Sequence, residues 1–330
     1  MLGQGAARPW QRLERRHGPL GWRPSALVQH SWPGLIATLP PWLQEGLTTW
    51  LPVSRVDGRL LQAGLGAALE AEGVQRLQAR VETLEPVGLR EWRLRLGPAP
   101  VVGTVRARVA ETELKCAAVV LAAGSGCRHL WPPLPGRLRS SWAGVLVLPR
   151  IPAGNPWLDH GRRGRVVQPR RWRRPSLEAR AAELQTPEWV VDAGLAPWGE
   201  GALLGQISLV RPGTGTGAPP DPSWMEARLR EGLSALDAEL GTTEGQFRQV
   251  PVPFCIDGRG LAGPVEGAPG LWAFTGFSGA FTVVPPLAER LADVMARSLV
   301  EEGTFSQRLL PPGIGIVSDG SEEESEAAAG

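Results

Sequence analysis

Apolar residues recur at helical spacing in three places. Leu60, Leu61, Leu65 and Leu69 form a stripe that starts after Asp57 and stops before Gly73. An aspartate accepts from the free N–H groups of a first turn, and a glycine takes the left-handed conformation past the last, so this pattern predicts a capped helix. Met225, Leu229, Leu233, Leu236 and Leu240 make a second stripe, closed by Gly241. Leu287, Leu291, Met295 and Leu299 make a third, ended by Gly303. They predict helices over 224–240 and from about 285 to 300. A short helix is expected over 10–16. Pro9, Pro19, Pro24, Pro33, Pro40 and Pro41 are expected to break the remainder of 1–50 into turns.

Strand periodicity is clearest where Trp92, Leu94 and Leu96 alternate with Arg93 and Arg95, predicting a strand over 89–96. The segments 74–84, 101–109, 144–148, 165–168, 189–195 and 202–210 are further strand candidates, with a hairpin turn over 197–201. Two segments differ from these. Residues 115–123 and 271–275 are short apolar runs without alternation, and each runs into glycines, Gly124-Ser125-Gly126 and Gly276 to Gly279. A strand apolar on both faces belongs in a parallel sheet. Two such strands with glycine exits predict one sheet whose strand ends face a ligand. The antiparallel block between them predicts an inserted second domain. Beyond about residue 306 the pattern is lost, and 319–330 is expected to be disordered.

Composition narrows the chemistry. The 330 residues are 42 % hydrophobic and 21 % charged, which predicts a folded chain with a sizeable core rather than a disordered one. Gly 42 and Pro 32 occur without a triplet period, so collagen is excluded. There are 14 tryptophans, no tyrosine, one lysine (Lys115) and one asparagine (Asn155). A Schiff-base lysine could only be Lys115, and a tyrosine acid is excluded. No stretch of about 18 apolar residues predicts a membrane-spanning helix, and the first ten residues lack the apolar core of a signal peptide. Cys116, Cys127 and Cys255 have no metal-ligand spacing, and none of the four histidines is paired, so no metal site is expected; the odd cysteine count fits a reduced, cytoplasmic chain. Residues 162–180 hold eight arginines and one acid, Glu178, with Trp172 among them. Such a segment suits a nucleic-acid face or a solvated charged loop; the second is the reading adopted, with no specific nucleic acid as partner. The net charge of +2 includes five acids over 319–326.

The chemistry concentrates in Val119-Val120-Leu121-Ala122-Ala123-Gly124-Ser125-Gly126, in Asp257 to Pro264, and in Gly270-Leu271-Trp272-Ala273-Phe274-Thr275-Gly276-Phe277-Ser278-Gly279-Ala280-Phe281-Thr282. The last is a strand, a glycine turn and a helix start. Free N–H groups there favour negative charge or an electron-rich ring edge, and small residues let a flat cofactor approach the backbone. On these residues the chain resembles the FAD-dependent amine and D-amino-acid oxidoreductases, the group that includes glycine oxidase and sarcosine oxidase. That family has a strand ending in an Ala-Ala-Gly-like turn, an Asp-Gly stretch ending in Gly-Pro, and a strand followed by Thr-Gly-His-Ser-Gly and a helix. A helix like that after Asp57, followed by a strand whose valine lies against adenine, is a third family segment, and places Val81 there. The resemblance covers roughly residues 50–300.

It implies an α/β (α+β) fold: an FAD-binding Rossmann-like domain from 57–142 and 256–303, with an antiparallel β substrate domain carrying one helix inserted at 143–255. An irregular segment, 1–56, precedes them and an acidic tail, 304–330, follows. It implies FAD as cofactor, a small-molecule substrate, and flavin contacts at Val81, Ala122, Ala123, Gly124, Gly276, Phe277, Ser278, Gly279, Ala280, Phe281 and Thr282. The reaction implied is oxidation of a C–N bond by hydride transfer to flavin. No residue is assigned a catalytic role.

The departures from the family shape the expectation. Its opening strand and Gly-x-Gly-x-x-Gly have no counterpart except Gly3-Gln4-Gly5-Ala6-Ala7, which no strand precedes. The N-terminal βαβ unit is therefore expected to be missing, leaving apolar strand edges. Phe277 stands where the family has histidine, and the loop after Ser278 is about one residue short. Val252 or Phe254 occupies the place of an arginine that pairs with a substrate carboxylate; Arg150, Arg211 and Arg259 could replace it from another direction. The alternative to an oxidoreductase is a truncated, non-catalytic relative acting as a binding or structural protein, or a gene remnant.

Overall fold

The computed structural model describes residues 4–30, 48–98, 113–300 and 310–318. In chain order it has α1 (Gln4–His17), β1 (Trp22–His30), β2 (Thr48–Val56), α2 (Gly58–Ala71), β3 (Ala79–Gly88), β4 (Glu91–Pro98), β5 (Glu113–Cys116), β6 (Val119–Leu121), a 3₁₀ turn (Gly124–Gly126) and α3 (Cys127–Leu130). There follow β7 (Leu138–Leu148), α4 (Pro156–Arg162), β8 (Val166–Pro169), α5 (Arg174–Ala179), β9 (Glu188–Val191), β10 (Leu195–Trp198) and β11 (Gly201–Val210). The last are α6 (Pro222–Ser234), α7 (Ala238–Thr242), β12 (Gln246–Cys255), β13 (Leu261–Pro264), β14 (Leu271–Thr275) and α8 (Ala280–Val300). The strand expected over 101–109, the glycine stop at 303 and the tail over 319–330 lie outside the described residues, as do Pro33, Pro40 and Pro41.

The elements gather into two units. The first is Met1–Arg76, Ser140–Val252 and Ser278–Pro286. Its sheet runs β12-β7-β11-β10-β8-β1-β2, with β9 also paired to β11. Most pairings are antiparallel, as the block at 143–255 leads one to expect, but β1 joins β8 in parallel. Residues 1–56, expected to be irregular, therefore supply two nine-residue strands. The prolines are tolerated because they fall on edges. Pro24 precedes Leu27, where pairing to β8 begins, and Pro52 lies on β2, the last strand of the sheet. Leu146, Leu204 and Ile207 from the sheet pack with Met225, Leu229 and Leu233 of α6 as one core. The single helix expected over 224–240 is two, because the Asp237 side chain accepts from Glu239 N and starts α7 afresh.

Asp57 caps α2 as expected, accepting from Arg59 N and Leu60 N, and Gly73 takes φ +72°. The apolar stripe of α2 is only partly covered among the described residues: Leu60, Leu65 and Leu69 are each 40–42 % exposed. α8 starts at Ala280, earlier than expected, and contains Pro285 and Pro286. Pro285 lacks the N–H that would satisfy the Phe281 carbonyl four residues back. Trp10 Nε1 donates to that carbonyl instead, at 2.7 Å.

The second unit is Leu77–Arg139, Pro253–Phe277 and Leu287–Gly330. It holds two three-stranded sheets, β13-β14-β6 and the antiparallel β3-β4-β5. The run expected as one strand over 115–123 is divided between them. Cys116 ends β5 opposite Trp92, while Val119 starts β6 opposite Leu271. β14 is buried on both faces, as its sequence predicts. Leu271 and Ala273 pack with Leu121 and Cys127, and Trp272 packs with Ala262, Leu291 and Val294. β6 departs from that expectation, since Val120 is 40 % exposed. Trp272, its partner on the same face, is 4 % exposed beneath Leu291 and Val294, so the cover over β14 stops short of β6.

Candidate functional site

β6 and β14 are parallel, with Leu271, Trp272 and Ala273 opposite Val119, Val120 and Leu121. Their C-terminal ends lie side by side. The chain leaves β6 through Ala122, Ala123 and Gly124, and leaves β14 through Gly276 and Phe277. In open parallel sheets this is the end at which ligands are received, in a crevice between the loops that leave the strands.

Both exits need glycine, for different reasons. Gly124 has φ +58°, and a Cβ on it would meet nothing within 4 Å. Its need is the left-handed backbone alone, next to open space. Ala122 and Ala123 beside it are exposed. Gly276 has φ +76° and is packed: a Cβ would sit 2.8 Å from Cys255 Sγ and 2.9 Å from Leu138 Cδ1. The exit of β6 is thus small and open, and that of β14 is densely packed.

Under the rim lie Thr275 and Cys127, both buried. The Thr275 hydroxyl donates to the Gly124 carbonyl at 3.4 Å, and the Cys127 N–H donates to the same oxygen. The Cys127 thiol donates to the Leu121 carbonyl at 3.6 Å. Burial raises the Cys127 thiol above its ordinary range and pushes Cys255 up to about 11. Both stay protonated at neutral pH, which removes them as nucleophiles. Thr275 opens the stretch matched to the family's Thr-Gly-His-Ser-Gly, but no role is expected of it there; the local signal is that it is the lone polar residue in Leu-Trp-Ala-Phe-Thr.

The structure brings Ala122, Ala123, Gly124, Gly276 and Phe277 together. The Phe277 ring turns away from the crevice. It covers Gly260, where a Cβ would overlap it, and lies 4.7 Å from the Phe274 ring, in the cluster with Trp272 and Leu291. Only its backbone borders the turn. Ser278, Gly279, Ala280 and Phe281 are exposed, and Thr282 N donates to Gly279 O at 2.8 Å. Val81 is half-buried opposite Leu96 in the other sheet of the unit.

Other residues weighed in the sequence have partners within the protein. The Asp257 carboxylate pairs with Arg137 at 2.8 Å and accepts from Arg259 N. Phe254 is buried in the unit, and Arg211 donates to the Ala218 carbonyl. Three of the eight arginines in the arginine-rich segment have ion pairs, Arg162 with Asp159, Arg174 with Glu178 and Arg180 with Glu188. His160 packs on Trp50, and burial with Arg165 and Arg163 lowers its pKa. Among the described residues, no group of His, Cys, Asp and Glu could hold a metal, and no helix is long and apolar enough to cross a membrane.

The small, open rim fits the edge of a planar ring system. A phosphate cradle of the Gly-x-Gly-x-x-Gly kind following a strand is not found among the described residues.

The family model DAO, FAD dependent oxidoreductase, matches residues 3–294. Among solved structures, glycine oxidase from Geobacillus kaustophilus aligns with a TM-score of 0.60 at 16 % identity, over 94 % of this chain and 81 % of that one. L-proline dehydrogenase from P. horikoshii aligns with a TM-score of 0.58 at 11 % identity, over 89 % and 78 %. Iminodiacetate oxidase from Chelativorans sp. BNC1 aligns at 0.57 and 14 %, over 93 % and 82 %. Comparison with curated proteins gives no match.

Proposed function

The chain belongs to the FAD-dependent oxidoreductase family, and from that premise we propose that it oxidises a C–N bond of an amine or amino-acid-like substrate. The observation that carries this reading is the pair of parallel strands β6 and β14, whose glycine exits open side by side. Bound FAD supplies the acceptor for the hydride.

The chain's own residues bind and orient. Ala122, Ala123 and Gly124 offer a rim without bulk, and Gly276 with the Phe277 backbone forms the facing edge. Ser278, Gly279, Ala280, Phe281 and Thr282 continue that turn into the N–H groups that start α8, and Val81 is assigned to the adenine end. The thiols of Cys127 and Cys255 stay neutral, so these residues act by position rather than by moving protons. The neighbours named above are called oxidases or dehydrogenases of glycine, L-proline and iminodiacetate, all nitrogen-bearing acids, which supports an amine-like substrate. Three unpaired cysteines support a cytoplasmic location.

Titration of the 330-residue protein with FAD, read by flavin fluorescence, tests the reading. Saturable binding at micromolar FAD, followed by anaerobic bleaching of the flavin band with a member of an amine and amino-acid panel, is expected. Absence of binding overturns it. A second reading, a non-catalytic relative with a binding or structural role, is favoured by exposed Val120 on β6 and by the want of a Gly-x-Gly-x-x-Gly turn among the described residues. FAD binding without bleaching by any substrate class would favour that reading.

A further inference from the structure

Resting on the flavin reading above, we propose that Thr275 is a positioning residue. With Cys127 it latches the exit of β6 to the exit of β14 and so sets the spacing of the two turns that border the flavin ring.

The argument begins with alternation along β14. Leu271, Ala273 and Thr275 share one face, and Leu271 and Ala273 are fully buried in the apolar cluster that contains Leu121 and Cys127. A hydroxyl at the end of that row is 4 % exposed. A buried hydroxyl needs a partner, or it costs more than an apolar side chain of the same shape. The partner lies on the other strand: the Gly124 carbonyl, 3.4 Å away. That carbonyl belongs to the left-handed residue of the turn and also accepts the Cys127 N–H. Its two lone pairs are thus shared between its own turn and the neighbouring strand. The Cys127 thiol takes the Leu121 carbonyl, the last of β6, and lies within hydrogen-bond reach of the Thr275 side chain. The two carbonyls that bracket Ala122 and Ala123 are therefore held from below, one by each residue. Thr275 directly precedes Gly276, so a shift of one turn is passed to the other.

Packing alone does not achieve this. Among the described residues nothing lies within 4 Å of a Cβ position on Gly124, so that side of the turn is not packed. The polar contacts from beneath hold its carbonyls. Removing the Thr275 hydroxyl while keeping its volume leaves the core filled and frees the turn.

The test uses the full chain with Thr275→Val, and Thr275→Ala should the valine form not fold. Thr275→Ser restores the hydroxyl. Hydrogen exchange without flavin is read at residues 122–126 and 276–279. Thr275→Val should speed exchange in both turns about tenfold, the equivalent of one net hydrogen bond, with Thr275→Ser close to wild type. Unchanged exchange in the hydroxyl-free forms overturns the latch, whether or not FAD binds. FAD titration of the same proteins should then show affinity about tenfold weaker in Thr275→Val and restored in Thr275→Ser. Wild-type protein that binds no FAD sinks the flavin reading while the exchange data still judge the latch. Wild-type and Thr275→Val proteins that bind FAD equally overturn the positioning role. So does a loss that Thr275→Ser does not restore, since that marks a packing effect.

Discussion

Single residues carry the features least visible in the sequence. Glu178 reads there as the one acid in an arginine-rich stretch. In the structure it is 5 % exposed, with Ser141 at 3.5 Å and Arg174 at 3.9 Å. Burial raises its pKa against the pull of Arg174 and Ser141, and Asp192 adds to the rise. The folded state thus holds the proton more tightly than the unfolded state does. Its stabilising contribution is full below the ordinary carboxylate range and is lost as pH rises through the raised value. Glu178→Gln should remove that slope, with Tm higher than wild type at pH 7 and equal to it in acid; thermal melts across pH check this. The cysteines give a second residue-scale prediction. Native protein treated with iodoacetamide at pH 8 should leave Cys127 and Cys255 unlabelled, because both are buried and protonated, while half-buried Cys116 reacts first. Mass spectrometry before and after denaturation reads the difference.

At the scale of elements, capping and glycine chemistry were legible because they are local. The Asp57 cap and the turn at Gly73 need only a few adjacent residues. Asp57→Ala should cost about 1 kcal/mol, seen as a lower denaturation midpoint. The two glycine exits differ in a way that sequence does not disclose. Gly124→Ala meets open space and pays only for its left-handed backbone, about 1–2 kcal/mol. Gly276→Ala adds a clash with Cys255 and Leu138 and should destabilise the protein more; urea unfolding of both variants ranks them. Strands β1, β2, β12 and β13 were illegible. Pro24 reads as a breaker until the sheet places it on β1 ahead of Leu27, where pairing to β8 begins. β13 is Leu-Ala-Gly-Pro, a poor strand former that becomes a strand because β14 offers it an edge.

For the whole molecule, both units are assembled from separated stretches of chain. A ligand that binds only the folded protein raises its stability, by about 2.7 kcal/mol at a hundredfold excess over Kd. FAD at that excess should therefore raise Tm by several degrees, and a melt without any shift would contradict the proposed cofactor role. The quoted motifs carried the resemblance to the family, and sequence alone determined the two apolar strands with glycine exits, the helical stripes and the Asp57 cap. Each depends on the order of a few neighbouring residues, through dihedral limits, side-chain periodicity and short-range hydrogen bonds. Only the tertiary structure decided that residues 115–123 divide between two sheets, that Val120 faces outward, that the Phe277 ring leaves the crevice, and that Thr275 meets the Gly124 carbonyl 151 positions away. Sheet pairing and burial are sums over contacts between distant segments. No local pattern encodes which edge a strand will find or which polar group its side chain will meet.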